Sequence, residues 1–227
     1  MRILLFILFA LSFKSAFALY GDVMPRKNLY PFVVDIILHD SEHPEVTRFC
    51  SGVLITPKRV LTAGHCIDAL GLELYEYGAA LEHDPEKVGV KIAGVEVNVS
   101  RITESPLYHE GNDARGEDLA IIELQNPITH VKPIPLASLS ELSAGMDVKL
   151  VSRSLVAKTK LLAVKGSTVS KALITNGRLA GTCLGDSGGA LLIEKNGQLK
   201  LAGILGYSGE AACEKKHSIS FFPRVRF

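Results

Sequence analysis

After residue 18, no long stretch of this chain holds a helical period, and short apolar runs of strand length recur between turn signals. Residues 32–38 form one such run, and Val53-Leu54-Ile55 and Val60-Leu61 form others. Val95, Val97 and Val99 alternate with Glu96, Asn98 and Ser100, the period of a half-buried strand. Residues 118–124, 147–151 and 161–164 continue the series. Residues 190–194 and 198–205 flank Asn196-Gly197, a dipeptide that favours a tight hairpin turn. Many short strands with regular turns predict an all-β chain, a sandwich or barrels. Pro127, Pro133 and Pro135 make the best linker candidate.

The first eighteen residues pose a separate problem. Met1-Arg2 gives a short positive start, residues 3–13 are almost unbroken apolar sequence, and Ala16-Phe17-Ala18 supplies small residues for a cleavage site. The apolar run is too short for a hydrocarbon core that needs about 20 residues. Residues 1–18 therefore read as a cleaved signal peptide, with the mature, exported chain starting at Leu19. Four cysteines, Cys50, Cys66, Cys183 and Cys213, fit an oxidising compartment, where an even count favours two disulfides over metal ligands. Three pairings are open on these grounds. A formal net charge of +1 removes the electrostatic case for a nucleic-acid partner.

Gly185-Asp186-Ser187-Gly188-Gly189 is the sharpest motif. A serine hydroxyl is a weak nucleophile unless a base takes its proton, and flanking glycines let backbone N–H groups converge on one oxygen. Alone, the motif reads as a glycine-rich turn. It is accompanied by Leu61-Thr62-Ala63-Gly64-His65-Cys66, with a histidine just after a strand, and by Glu117-Asp118-Leu119-Ala120, with a carboxylate entering one. The chain order His, Asp, Ser is that of chymotrypsin.

These motifs resemble those of trypsin/chymotrypsin-type serine proteases. Residues 102–108 are similar to the segment leading to that family's aspartate, and Gly203-Ile204-Leu205-Gly206-Tyr207-Ser208 to the strand lining its cleft. The resemblance runs from Leu19 to Val225. It implies two antiparallel six-stranded β-barrels, residues 19–127 and 128–227, with the site in the cleft between them. It implies Ser187 as nucleophile, His65 as general base and later acid, and Asp118 as the group orienting His65. The backbone N–H groups of Gly185 and Ser187 would form the oxyanion hole. The implied disulfides are Cys50–Cys66 and Cys183–Cys213. The function implied is a secreted or periplasmic serine endopeptidase. It would act as a monomer on protein or peptide substrates, with no cofactor, no metal and no membrane anchor after signal removal.

The chain also departs from the family pattern. The short spacing from Asp118 to Ser187 means trimmed loops in the second barrel, and no C-terminal helix is evident. Val151-Ser152-Arg153-Ser154 replaces a glycine-rich segment. Gly206 replaces a serine that approaches the aspartate, so one hydrogen bond to Asp118 is expected to be missing. Gly181, six before the serine, falls at the floor of the primary pocket, and Ser208 and Ser220 fall on its walls. A floor without a carboxylate and walls with added hydroxymethyl groups predict small or medium uncharged side chains before the scissile bond. Leu19-Tyr20-Gly21 is similar to the freed amino terminus of activated relatives, which pairs with the aspartate before the serine, here Asp186. The alternative is a surface terminus, with Asp186 satisfied by another partner. Arg26-Lys27 offers a second processing position.

The remaining signals favour plain readings. His39 and His43 read as loop histidines, Glu82, Asp84 and Glu86 as a solvated turn, and Asn98-Val99-Ser100 as a glycosylation sequon inside a predicted strand. A protease-like binding protein usually lacks a triad member, and this chain has all three. An esterase-like hydrolase would share the acyl-enzyme chemistry.

Overall fold

The computed structural model describes residues 19–39, 47–68, 82–106, 108, 117–166, 171–176, 180–183, 185–208 and 219–223. The expected signal segment, His43 and Cys213 lie outside the described residues. Two short strands, β1 (Tyr20–Gly21) and β2 (Val23–Pro25), come first. The first sheet is built from β3 (Val33–His39), β4 (Thr47–Thr56), β5 (Arg59–Thr62), β6 (Glu82–His83), β7 (Val88–Ile92), β8 (Val95–Val97), β9 (Val99–Glu104) and β10 (Ala120–Leu124). All its pairings are antiparallel, in the order β6-β9-β10-β5-β4-β3-β7-β8. Only Asn98 separates β8, at one end of this order, from β9, next to the other end, so one bent strand joins the two edges and the sheet closes on itself. Taking β6 with β7 and β8 with β9 as bent strands, the barrel has six. Val34, Ile36, Leu54, Val60, Ile102 and Ile122 fill it and are fully buried. Each such side chain contributes about 1.5–3 kcal/mol of burial.

The second sheet contains β11 (Asp147–Val151), β12 (Leu155–Gly166), β13 (Lys171–Asn176), β15 (Ala190–Lys195), β16 (Gln198–Ile204), β17 (Tyr207–Ser208) and β18 (Ile219–Pro223), with β14 (Ala180–Gly181) outside it. Its order is β16-β15-β11-β12-β13-β18-β17, and β16 runs into β17 through Leu205-Gly206, which closes this barrel too. Between β15 and β16, Asn196 and Gly197 sit at φ 52° and 73°, as the hairpin dipeptide predicts. Although β1 and β2 precede the first barrel, they pair beside the second: β2 with β12, and β1 with β14.

The alternation from Val95 to Val99 does not make one half-buried strand. It breaks at Asn98, and Val95 is 56% exposed whereas Val99 is buried. Val95 follows the turn at Ala93-Gly94, at the tip of the β7–β8 hairpin. The run at 161–164 is the middle of a far longer strand, β12. One α-helix occurs among the described residues, the single turn α1 (Gly64–Asp68). None of their helices is long and apolar enough to cross a membrane.

Candidate active site

The register of β5 against β10 brings His65 and Asp118 together. Ala120 pairs with Thr62 at the end of that ladder, so two residues further on Asp118 faces the start of α1. Asp118 is fully buried and uses both carboxylate oxygens on one residue. The backbone N–H of His65 donates to Oδ1 at 2.8 Å, and Nδ1–H donates to Oδ2 at 2.8 Å. This fixes the ring's orientation and puts the proton on Nδ1, leaving Nε2 as the acceptor. The Cys50–Cys66 disulfide ties the residue after His65 to β4. The imidazole is one-third exposed. Among the described residues Asp118 accepts from His65 alone, with buried Gly206 in place of a hydroxyl donor.

The Ser187 turn docks on the same end of the first barrel. Ser51 on β4 donates its N–H to the Ser187 carbonyl at 2.7 Å, and Thr62 Oγ1 donates to the Ser51 carbonyl at 2.8 Å. Gly188, at φ 77°, lies so close that a Cβ there would stand 1.8 Å from the Ser51 carbonyl oxygen. On the other side, Gly188 N–H donates to Leu205 and Leu205 N–H to Gly189, which fastens the turn to the end of β16. The N–H groups of Asp186, Gly188 and Gly189 all donate to carbonyls, whereas those of Gly185 and Ser187 have no acceptor among the described residues. Two unused donors thus flank the Ser187 side chain. No hydrogen bond joins the Ser187 hydroxyl to His65, whose Nε2 lies 3.9 Å from Cys66 Sγ.

Behind the turn, Asp186 is fully buried. Its Oδ2 accepts from Cys183 N–H at 2.8 Å, while Oδ1 and the nearby Ser152 hydroxyl are both buried without a hydrogen-bond partner. Burial pushes the carboxyl up to about 7, against the opposing pull of the Cys183 N–H. Leu19 is 2% exposed in the second barrel's core. Tyr20 pairs with Gly181, so extending the ladder by one sets Leu19 opposite Thr182, beside Cys183. Ser208 and Ser220 are register partners on β17 and β18. Cys183 is disulfide-bonded.

Other positions read from the sequence lie elsewhere. Asp84 caps a short 3-10 turn by accepting from Glu86 N–H at 3.0 Å, as a solvated turn would. Asn98 is exposed at the bend between β8 and β9. Arg26 bonds Asp35 at 3.2 Å. Sequence reasoning missed Glu104, which is 2% exposed at the end of β9. A Cβ on Gly64 would lie 3.1 Å from Glu104 Oε1 and 3.2 Å from Asp118 Oδ1, so a second buried carboxylate borders the Asp118 site. Its only signal was a charged residue ending a strand whose neighbours alternate inward.

A sequence profile of the trypsin family matches residues 20–227. The chain is 27% identical to human chymotrypsin-like elastase family member 3A, over 94% of this chain and 87% of that protein. It is 27% identical to brachyurin of Leptuca pugilator, over 88% and 91% respectively. It is 28% identical to the serine protease grass of Drosophila melanogaster, over 68% of this chain and 50% of that protein.

Proposed function

Because this chain belongs to the trypsin family and is a serine endopeptidase of it, we propose that Ser187, His65 and Asp118 perform its acyl transfer. The observation that carries this reading is the doubly bonded His65–Asp118 pair at the barrel end where the Ser187 turn docks, with two N–H groups that have no acceptor among the described residues. Ser187 Oγ attacks the peptide carbonyl carbon as its proton passes to His65 Nε2. The negative charge formed on the carbonyl oxygen meets the N–H groups of Gly185 and Ser187, each worth roughly 3 kcal/mol in such sites. The C–N bond then breaks, and the leaving amine takes the proton from the imidazolium that Asp118 stabilises. Water, deprotonated by His65, hydrolyses the acyl-enzyme. Substrate must draw the Ser187 hydroxyl within reach of Nε2, as resting sites of this kind commonly require. A serine-directed phosphonate should label the protein once, on Ser187; labelling elsewhere, or none, defeats the reading.

For the residue before the scissile bond, the pocket floor at Gly181 offers no carboxylate to a Lys or Arg. A cation buried there without a partner is costly. In a peptide library, cleavage after small or medium uncharged residues is expected to exceed cleavage after arginine by at least about tenfold in kcat/KM. A profile dominated by arginine would contradict this.

Export is proposed to do more than deliver the chain. Removal of residues 1–18 would free an ammonium on Leu19, beside the segment after β14 whose Cys183 N–H already holds Asp186. The pair would charge Asp186 and rigidify the oxyanion turn, so the signal-removing cut would itself activate the enzyme. The pH dependence follows from the sign of the shift. A carboxyl raised from about 3.8 to about 7 binds a proton in the folded, uncut chain that the unfolded chain has lost. Its stabilisation is full below pH 3.8 and disappears as pH rises toward 7. On a Ser187→Ala background, denaturation of an amino-terminally extended form should show that loss, and a form starting at Leu19 should not. Identical pH profiles would leave the Leu19 ammonium without a role.

A further inference from the structure

Beside the Ser187 turn stands a guanidinium that no carboxylate compensates among the described residues. Arg153 lies with Cζ 4.2 Å from the centroid of the Phe49 ring, and that ring is 42% exposed. The backbone N–H of Arg153 donates to Ser51 Oγ at 2.9 Å, and Ser51 N–H in turn donates to the Ser187 carbonyl. Two hydrogen bonds therefore separate Arg153 from the nucleophile. The neighbouring cation, Arg26, is held by Asp35, and among the described residues Arg153 has no carboxylate partner. A half-buried Arg over an aromatic face keeps its planar edge free for a bidentate acceptor, with its direction fixed by stacking.

The chemistry says which part of a substrate meets it. His65 must protonate the departing amine, so the leaving peptide runs along the histidine side of the site. Phe49 precedes Cys50, and Cys50 is bonded to Cys66, the residue after His65. Gly181, Ser208 and Ser220 belong instead to the acyl side. Building on the triad read above, we propose that Arg153 on Phe49 is a specificity-determining residue that receives an acidic side chain one or two positions after the scissile bond. The substrates it favours are peptides uncharged before the cut and acidic just after it.

The test uses matched peptides, identical up to the scissile bond and carrying Asp or Asn, or Glu or Gln, at the next two positions. Each enzyme is first titrated with the phosphonate, and the acidic-to-neutral ratio of kcat/KM is the readout. An anilide substrate with no residue after the scissile bond checks the catalytic reading separately, because its hydrolysis by the wild-type enzyme needs the triad alone. The wild-type ratio is expected to be about five at low salt and to fall as salt rises. Arg153→Gln should bring the ratio to about one, and Arg153→Glu should push it below one. If the anilide is cleaved while the wild-type ratio is near one, or while Arg153→Gln preserves the ratio, the proposal is overturned.

Discussion

Ser187→Ala is expected to lower kcat by roughly a million-fold and Asp118→Asn by about ten-thousand-fold. The first variant removes the hydroxyl oxygen proposed to form the acyl-enzyme. The second keeps the shape but not the hydrogen-bonding sense. Asp118 accepts from both the backbone N–H and Nδ1–H of His65, and a carboxamide has only one accepting atom. Its NH2 would face one of two donors, and turning it toward Nδ1 would move the ring proton to Nε2. There it would block the position that must accept from Ser187. Because Asp118 is fully buried, water cannot restore the lost acceptor. Purified variants with unchanged circular dichroism provide the comparison, and a Ser187→Ala enzyme retaining most activity would sink the assignment.

Gly188→Ala is expected to damage the fold as well as the site. The added Cβ would lie 1.8 Å from a backbone oxygen and 2.5 Å from Thr62 Oγ1, at a φ of 77° that disfavours any side chain. Ser51 cannot retreat, because its N–H holds Ser187 and it pairs with Asp35 inside the first barrel. Gly197→Ala is the control: its φ is 73°, yet nothing lies within 4 Å of the new methyl. The control should cost about 1 kcal/mol, or a few degrees in Tm. Gly188→Ala should cost several times as much and lower kcat by about a thousand-fold. Thermal melts and kinetics of the two variants side by side measure the contrast, and equal, mild effects would mean that the turn is not wedged against the first barrel.

What the sequence disclosed and what it hid separate along a physical line. Period-two apolar runs and the Asn196-Gly197 turn made the strands legible, because a strand's inward face and a hairpin's φ values are local properties. The chemistry-bearing motifs were legible because each carries its own signature within a few residues. Pairing across long distances left no such trace. That β2 joins β12, or that Leu19 faces Thr182, depends on how the closed barrels meet. Asn98 interrupts a run of perfect alternation, since a bend that closes a barrel needs no special residue there. Arg153 looked like a loop residue standing in for glycine, and Glu104 drew no reading of its own within the segment leading to Asp118. Their surroundings come from elements about a hundred and about forty residues away in the chain.

The closure of both sheets has a consequence for a molecule that must live among copies of itself. A peptidase cleft grips its victim as an extended strand, through main-chain groups that are free to pair. In each barrel one bent strand carries the chain from one edge of the sheet to the other, so the main-chain groups of the long strands are already matched to neighbours. Among the described residues, a second copy of the enzyme finds no loose selvedge along the long strands of either barrel, and self-digestion is expected in the segments that connect them.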